Sequence, residues 1–363
     1  MPLMPDNPVF TLNQHVRTRF GTRVTRIPLT LHHPCPNRID GRAGCAFCLP
    51  ESYEPPAERM EGSVDDQLAR GIALHSTRSD SQAFIAYFQS GCATAVPVDE
   101  LVAACTAAAR HPGIVAVSLA TRPDCLPPAM CSALASMARK FELWVELGVQ
   151  TAHDRTLDLL NRNHSAACSL EAVRNLFAAG VQQVVVHMIL GLPGETEEEM
   201  QESFRLFAAM RPGGRMQDSG AEILDSESKP RSPIPTIHHP ASPFPNNQMS
   251  NVKSQISNTS PPPLAPSLGF KIHHLQVIKG TPLEQWWREG RVRVYELDDY
   301  ARLVVDILEC VPDDIVIHRM FGSAGTQHLC APVWPGDKAA HLRRILDEFK
   351  RRGTRQGIYL PGD

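Results

Sequence analysis

Short, nearly continuous apolar runs rich in β-branched residues alternate along the chain with longer stretches whose apolar positions recur at helical spacing. The runs predict strands over 24–31, 84–89, 114–121, 143–150 and 181–191. The stretches between and after them predict helices over 64–75, 98–110, 128–140, 154–161, 169–179 and 195–210, and a sixth strand is expected over 271–278. Runs such as VVVHMIL lack the clean alternation of a half-exposed antiparallel sheet and suit burial on both faces. The strand-helix rhythm therefore predicts an α/β fold around a parallel sheet, either covered or closed into a barrel.

Residues 211–268 break the rhythm. They hold 11 of the chain's 31 prolines, with segments such as NTSPPPLAPS, and have too little apolar surface to offset chain entropy. A disordered Pro/Ser-rich insert is the expectation, with His238 and His239 as solvated residues. After it, TPLEQWWREG, the amphipathic LDDYARLVVDILECV, the strand IVIHRM and a last helix over 338–352 predict a smaller α/β extension. The expected division is a basic segment 1–23, a core 24–210, the insert 211–268, a last core strand and helix 269–290, and the extension 291–363.

Composition then narrows the class. With 363 residues, 42% of them hydrophobic and 21% charged, the chain is not wholly disordered, collagenous or polytopic in a membrane. A net charge of -3 gives no global basic field, so nucleic-acid contact would need local patches. Arg17, Arg19, Arg23 and Arg26 form one candidate; Arg343, Arg344, Lys350, Arg351, Arg352 and Arg355 form another. Each is read as a solvated face or as a phosphate-contacting rim. No apolar stretch reaches the ~18 residues of a membrane span, and the expected location is the cytoplasm, with no membrane partner.

Of ten cysteines, seven are scattered (Cys92, Cys105, Cys125, Cys131, Cys168, Cys310, Cys330) and read as small buried hydrophobes. The other three lie in CPNRIDGRAGCAFC, on a loop just after the first strand. Cys35, Cys45 and Cys48 are one ligand short of a closed tetrahedral site. Structural zinc takes four protein ligands, whereas three thiolates on a 4Fe-4S cluster leave one iron free. Gly41 and Gly44 would let the loop wrap a bulky cluster, and Phe47 would shield it. A Cys3His zinc loop completed by His32 or His33 stays open as the alternative.

The segments CPNRIDGRAGCAFC, AYFQS, ATRPDCLP, WVELGVQTAHDRTLDLLNRNH, HMILGLPGET, HHLQVIKGTPL and VIHRM, in this order, resemble the YhcC/YtqA-like radical S-adenosylmethionine (SAM) family. The core of that family is similar to that of the elongator catalytic subunit. The resemblance covers nearly the whole chain apart from the insert. It implies a partial (β/α)6 TIM-like barrel, a 4Fe-4S cluster on Cys35, Cys45 and Cys48, and SAM bound at the open iron. It further implies reductive cleavage of SAM to a 5'-deoxyadenosyl radical, with an external donor such as flavodoxin or ferredoxin. For substrate it implies the side chain of a tRNA wobble uridine; a small metabolite is the alternative.

Motif positions at strand ends make Gln89, Thr121, Glu146, Gln150, Gly191 and Gly194 the expected SAM contacts, with Arg122 and Asp124 just after strand three. Polar residues in the last strands, among them His273, His274 and Gln276, are expected in part to face the cavity. Of that set Lys279, His318 and Arg319 are the substrate candidates, the lysine and arginine as carboxylate or phosphate anchors. Two departures from the family pattern stand out. The gap between Cys35 and Cys45 is about two residues short, as in the elongator-like pattern, and Asn163 replaces a glycine, a position where Asn tolerates a left-handed backbone.

Overall fold

The structure, a computed structural model, describes residues 7–54, 61–76, 83–214, 265–322 and 324–360. Most of the proline-rich stretch, 215–264, lies outside the described residues. Helix α1 (Leu12–Phe20) precedes five strand-helix units. These are β1 (Val24–Leu29) with α2 (Val64–Ser76), β2 (Ala83–Phe88) with α3 (Val98–Arg110), and β3 (Ile114–Thr121) with α4 (Pro128–Ala138). The fourth and fifth are β4 (Leu143–Gln150) with α5 (Asp154–Leu159) and α6 (Ala166–Ala178), and β5 (Gln183–Leu190) with α7 (Glu197–Ala208). Then come β6 (Ser267–His274), β7 (Val277–Ile278), α8 (Pro282–Arg288), α9 (Leu297–Glu309), β8 (Val316–Arg319), β9 (Leu329–Ala331) and α10 (Lys338–Arg352).

Seven strands form one parallel sheet in the order β1-β2-β3-β4-β5-β6-β8, and β7 pairs antiparallel with β9 in a second sheet. Across the sheet Arg26 of β1 meets His318 of β8, Nη2 to Nδ1 at 2.8 Å, although these strands are its opposite edges. The sheet is therefore curled into a partial TIM-like barrel, as the family resemblance implies.

The period-2 alternation of strands sorts the residues into two faces. Outward residues such as Phe84, Val117, Val145, Val184 and Phe270 join the main core beneath the helices. Phe204 of α7 meets Phe270 edge to face at 4.9 Å, each ring fully buried and contributing about 2–3 kcal/mol. Inward residues are layered. At the bottom Ile85, Ala116 and Trp144 pack with Val16 of α1, which plugs the barrel. One level up the inward residues are polar, because the register pairs Tyr87 with Ser118, His187 with Lys271 and Lys271 with Arg319. At the top lie the loops that follow the strands.

Three differences from the sequence reading have local causes. The expected strand over 271–278 starts earlier, at Ser267, and ends at His274. Leu275 N donates to Leu190 O at 2.8 Å, after which the chain leaves the sheet and Val277–Ile278 pairs with β9. Within the extension, β8 joins the edge of the sheet as a seventh strand, which the sequence reading did not place. Within the basic segment, Thr11 and Gln14 make a reciprocal capping box that starts α1, a T-x-x-Q signal present in TLNQ. Ile317 N donating to Phe10 O and Gln356 N donating to Pro8 O tie both ends of the chain to the β8 edge.

Candidate functional site

The loop after β1 carries all three motif cysteines, each with a free thiol. Its path is set from below by Gly91, whose Cβ would stand 2.7 Å from His33 O, so no larger residue fits under the loop. From the side it is held by the turn between α5 and α6. Ala46 N donates to Leu160 O at 3.0 Å, Asn161 Nδ2 donates to Gly44 O at 2.7 Å, and Asn37 Nδ2 donates to Asn161 O at 2.7 Å. Asn163 bonds Asn37, and both Asn161 and Asn163 sit in the left-handed region at φ 55° and 57°. The expectation that Asn163 stands in for glycine is met by this backbone. Phe47 packs with Leu160, Leu192, Leu275 and Val277 in a second apolar cluster that anchors the loop.

Two N–H groups point at one sulfur. Arg162 Nη1 lies 3.1 Å and Asn37 Nδ2 3.3 Å from Cys45 Sγ. Burial alone would raise the Cys45 thiol; the charges of Arg162 and Arg122 and these hydrogen bonds bring it below its usual value. Burial pushes Cys35 up against the pull of Arg122, and burial with the neighbouring Cys45 pushes Cys48 up against Arg38. Among the described residues no group of three or more His, Cys, Asp or Glu is gathered around a point where one metal ion would sit. His33 Nε2 faces Glu100 Oε1 at 3.4 Å rather than a thiol, and His32 is exposed. A cubane, which takes one thiolate per iron and is supported by N–H donors on sulfur, fits this donor set.

The strand-end candidates converge on the same mouth. Gln89 follows β2, its backbone N donating to Leu29 O and its Nε2 to Tyr53 O at 3.1 Å. Thr121 ends β3 beside Thr94 and Cys92, with Cys92 Sγ 3.2 Å from its hydroxyl. Gln150 ends β4 with φ 79°, and a Cβ on Gly148 would touch its Nε2 at 3.0 Å. Gly191, at φ 86°, opens the turn after β5, where a Cβ would come 3.0 Å from the Tyr295 ring; Gly194, at φ 79°, has open space. Arg122 makes a two-pronged ion pair with Asp124, both bonds 2.9 Å, and donates to Arg162 O, yet its buried Nη1 has no partner among the described residues. Cys92 and Cys125, read as small buried hydrophobes, are buried side by side, and a hydrogen bond with Cys125 lowers the Cys92 thiol while raising that of Cys125.

Glu146 lies deep inside the barrel. It is 0% exposed, and both oxygens are used within the barrel. Oε1 takes Arg26 Nη1 at 2.8 Å; Oε2 takes Tyr87 Oη, His187 Nε2 and Lys271 Nζ, each at 2.8 Å. Burial would raise this carboxyl, but Arg26 and Lys271 hold it well below the usual range. The residue is thus the counter-charge of the interior, with Oε2 fully engaged and Oε1 held closely by Arg26 alone.

His318 and Arg319 reach this interior on β8; Lys279 does not, lying exposed on the turn after β7. His274 faces the other way, its ring 4.0 Å from that of Trp334 and tilted by 34°. The sequence reading missed Asn37 and Arg162 at the loop and Tyr87, His187 and Lys271 in the interior. Arg26, grouped with a solvated rim, points inward. Of the C-terminal arginines, Arg344, Arg351 and Arg352 converge on the buried Glu348, which leaves less of that helix free for phosphate. No helix among the described residues is long and apolar enough to cross a membrane.

Comparison with known proteins agrees with this geometry. The model of the radical SAM superfamily matches residues 35–207 and that of the radical SAM C-terminal domain residues 268–351. The chain is 31% identical to the uncharacterized protein YtqA of Bacillus subtilis over 96% of its own length and 92% of that protein's. It is 28% identical to protein YhcC of Escherichia coli over 93% and 92%. A short stretch of 52 residues, 14% of this chain and 11% of the other, is 40% identical to a tRNA uridine(34) acetyltransferase of Dehalococcoides mccartyi. Among solved structures, archaeal Methanocaldococcus infernus Elp3 superposes with a TM-score of 0.58 at 15% identity, covering 92% of this chain and 64% of that one. The chain belongs to the radical SAM superfamily of enzymes, in the family that includes YtqA and YhcC.

Proposed function

We propose that the protein reductively cleaves SAM at a 4Fe-4S cluster held by Cys35, Cys45 and Cys48, and uses the resulting radical on the wobble-uridine side chain of tRNA. The observation that carries the first part is the three-cysteine loop with the Arg162 and Asn37 N–H groups set on Cys45 Sγ. When bound there, the cluster supplies one electron for splitting SAM into methionine and a 5'-deoxyadenosyl radical, with flavodoxin or ferredoxin as the external source. The chain's own residues position and protect. Arg162 and Asn37 fix and polarise one thiolate. Arg122 offers its unpartnered Nη1 beside Cys35 to the bound nucleotide. Gln89, Thr121 and Gln150 offer amide and hydroxyl groups at successive strand ends, and the bare backbone at Gly191 and Gly194 lets a flat base approach. The barrel walls and the α1 plug exclude water from below.

The tRNA substrate is supported by the family resemblance and by the short match to an enzyme named for uridine 34. The internal pairing of Arg344, Arg351 and Arg352 favours the second reading, a small metabolite taken wholly inside the barrel. Anaerobically reconstituted protein should be brown and release 5'-deoxyadenosine from SAM under strong reductant, and both properties should be lost in Cys45→Ser. Colourless protein carrying stoichiometric zinc would refute the cluster. Mass spectrometry of tRNA nucleosides from a deletion strain separates the substrates, since unchanged wobble uridines remove the tRNA reading.

A further inference from the structure

The barrel interior holds more positive charge than its own residues neutralise. Arg26, Lys271 and Arg319 face one another there, and Glu146 is the carboxylate among them. Arg26 and Lys271 are both committed to Glu146, at 2.8 Å each. Arg319 makes no hydrogen bond or ion pair among the described residues, and it is solvent-exposed. The three imidazoles of this layer add no negative charge and are kept neutral: burial lowers His187 to about 4, and lowers His273 and His318 well below their usual value. Three buried nitrogens of the same group, Arg26 Nε, His273 Nε2 and His318 Nε2, have no hydrogen-bond partner among the described residues. Solvent reaches the layer from the mouth, since the side chains of Arg26 and His187 keep 21% and 18% of their exposure. An anion entering from the mouth would find the unpaired guanidinium of Arg319 and would satisfy buried donors that otherwise lack partners.

We propose that this layer is a subsite for the acidic group of a small anionic substrate or co-substrate, a carboxylate or a phosphate, with Arg319 as its principal anchor and Arg26 Nε and His273 Nε2 as further donors. A planar guanidinium with both edges free suits either group through paired N–H bonds. The cations that border the cysteine loop are different residues, Arg38, Arg122 and Arg162, so the subsite is separate from the one that faces the cluster ligands. The assignment rests on the reading that the barrel interior receives the substrate of a radical enzyme, and its test is chosen to fail independently of that reading.

Malonate and inorganic phosphate are the probes, titrated calorimetrically into the full chain after anaerobic reconstitution, with SAM binding and 5'-deoxyadenosine release read on the same samples. Wild-type protein should bind at least one probe in the millimolar range or tighter, the stronger one identifying the source as carboxylate or phosphate. Arg319→Gln should weaken that binding about tenfold or more, Arg319→Lys should weaken it less, and Lys279→Gln should leave it unchanged. SAM affinity, read in the same titrations, should be retained in Arg319→Gln, so that the loss falls on the acidic probe. No binding of either probe by wild type, or equal binding by Arg319→Gln, overturns the subsite. Parallel loss of SAM affinity in Arg319→Gln also overturns it, by placing the guanidinium in the nucleotide site. Absence of SAM cleavage in iron-loaded wild type would instead refute the proposed activity, while probe binding and its Arg319 dependence would still decide the subsite.

Discussion

Glu146 offers the sharpest test of how the interior is held together. Its carboxylate is fully buried and accepts from Arg26, Tyr87, His187 and Lys271. Glu146→Gln keeps the shape but removes the charge, so Arg26 and Lys271 remain desolvated without a counter-ion, and an amide NH2 is set against donors. Breaking a buried pair from one side costs about 3–5 kcal/mol, a large share of the ~5–15 kcal/mol that keeps a domain folded. Lys271→Met alone should cost less, because Glu146 retains Arg26, His187 and Tyr87. The double variant Glu146→Gln/Lys271→Met should be more stable than Glu146→Gln alone by about 1–2 kcal/mol, since one stranded charge has gone. Urea unfolding followed by circular dichroism measures all four corners of the cycle under anaerobic conditions at pH 7.5. A Glu146→Gln variant within about 0.5 kcal/mol of wild type would refute the reasoning. If SAM affinity fell instead, the carboxylate would be the nucleotide contact that its sequence position suggests.

Three other perturbations test other parts of the molecule. Arg162→Met removes the bond to Cys45 Sγ and strands the Gly148 carbonyl; about 2–3 kcal/mol of stability should be lost in urea, with fewer irons bound per chain after reconstitution. His274 is buried against Trp334, and burial lowers it from 6.5 to about 3. The unfolded chain therefore takes up this proton first as pH falls, so its contribution is present above about 6.5 and lost toward 3. Between pH 7 and 5 that amounts to about 2 kcal/mol, and His274→Phe should flatten the slope of stability against pH by nearly one proton. Hydrogen bonds from Arg351, then Arg352, lower Glu348 from 4.5 to about 2, so its contribution is complete above 4.5 and fades as pH falls toward 2. Glu348→Gln should cost about 1–2 kcal/mol at pH 7, allowing for the exposure of Arg351, and should shift no activity.

The barrel was legible because its strands had to be apolar on both faces. The bounds over 114–121, 143–150 and 98–110 agree with the structure, and elsewhere the ends move by a few residues where loops compete with the last hydrogen bond. What escaped was set by tertiary context. Helix α1 has one buried residue, Val16, so its apolar face is too thin for periodicity to find, and only the capping pair Thr11 and Gln14 marks its start. β7 is two residues long and exists because β9 lies against it. Val277 and Ile278 fall inside the expected strand 271–278, but the break that detaches them from β6 and their pairing with β9 come from tertiary contacts.

The cysteine loop was legible for a different reason. Three thiols at fixed spacing are chemistry written locally, whereas Arg162, which tunes Cys45, and Asn161, which holds the loop at Gly44, each come from 117 residues away in sequence. The polar interior shows the same division more clearly. In VTRIPL and GFKIHH a charged residue interrupts an apolar strand, and such a residue must face either solvent or an enclosed partner. Lys279 stays outside the barrel because it follows the point at which the chain leaves the sheet, on the turn after β7, whereas Lys271 lies within β6. Register decides between the two lysines. Pairing of Lys271 with both His187 and Arg319 fixes it on the inward face, and a shift of one residue would turn it toward the helices and away from Glu146. A charged residue inside a strand can therefore be recognised from sequence as unusual, but its partner is chosen by the closing of the barrel.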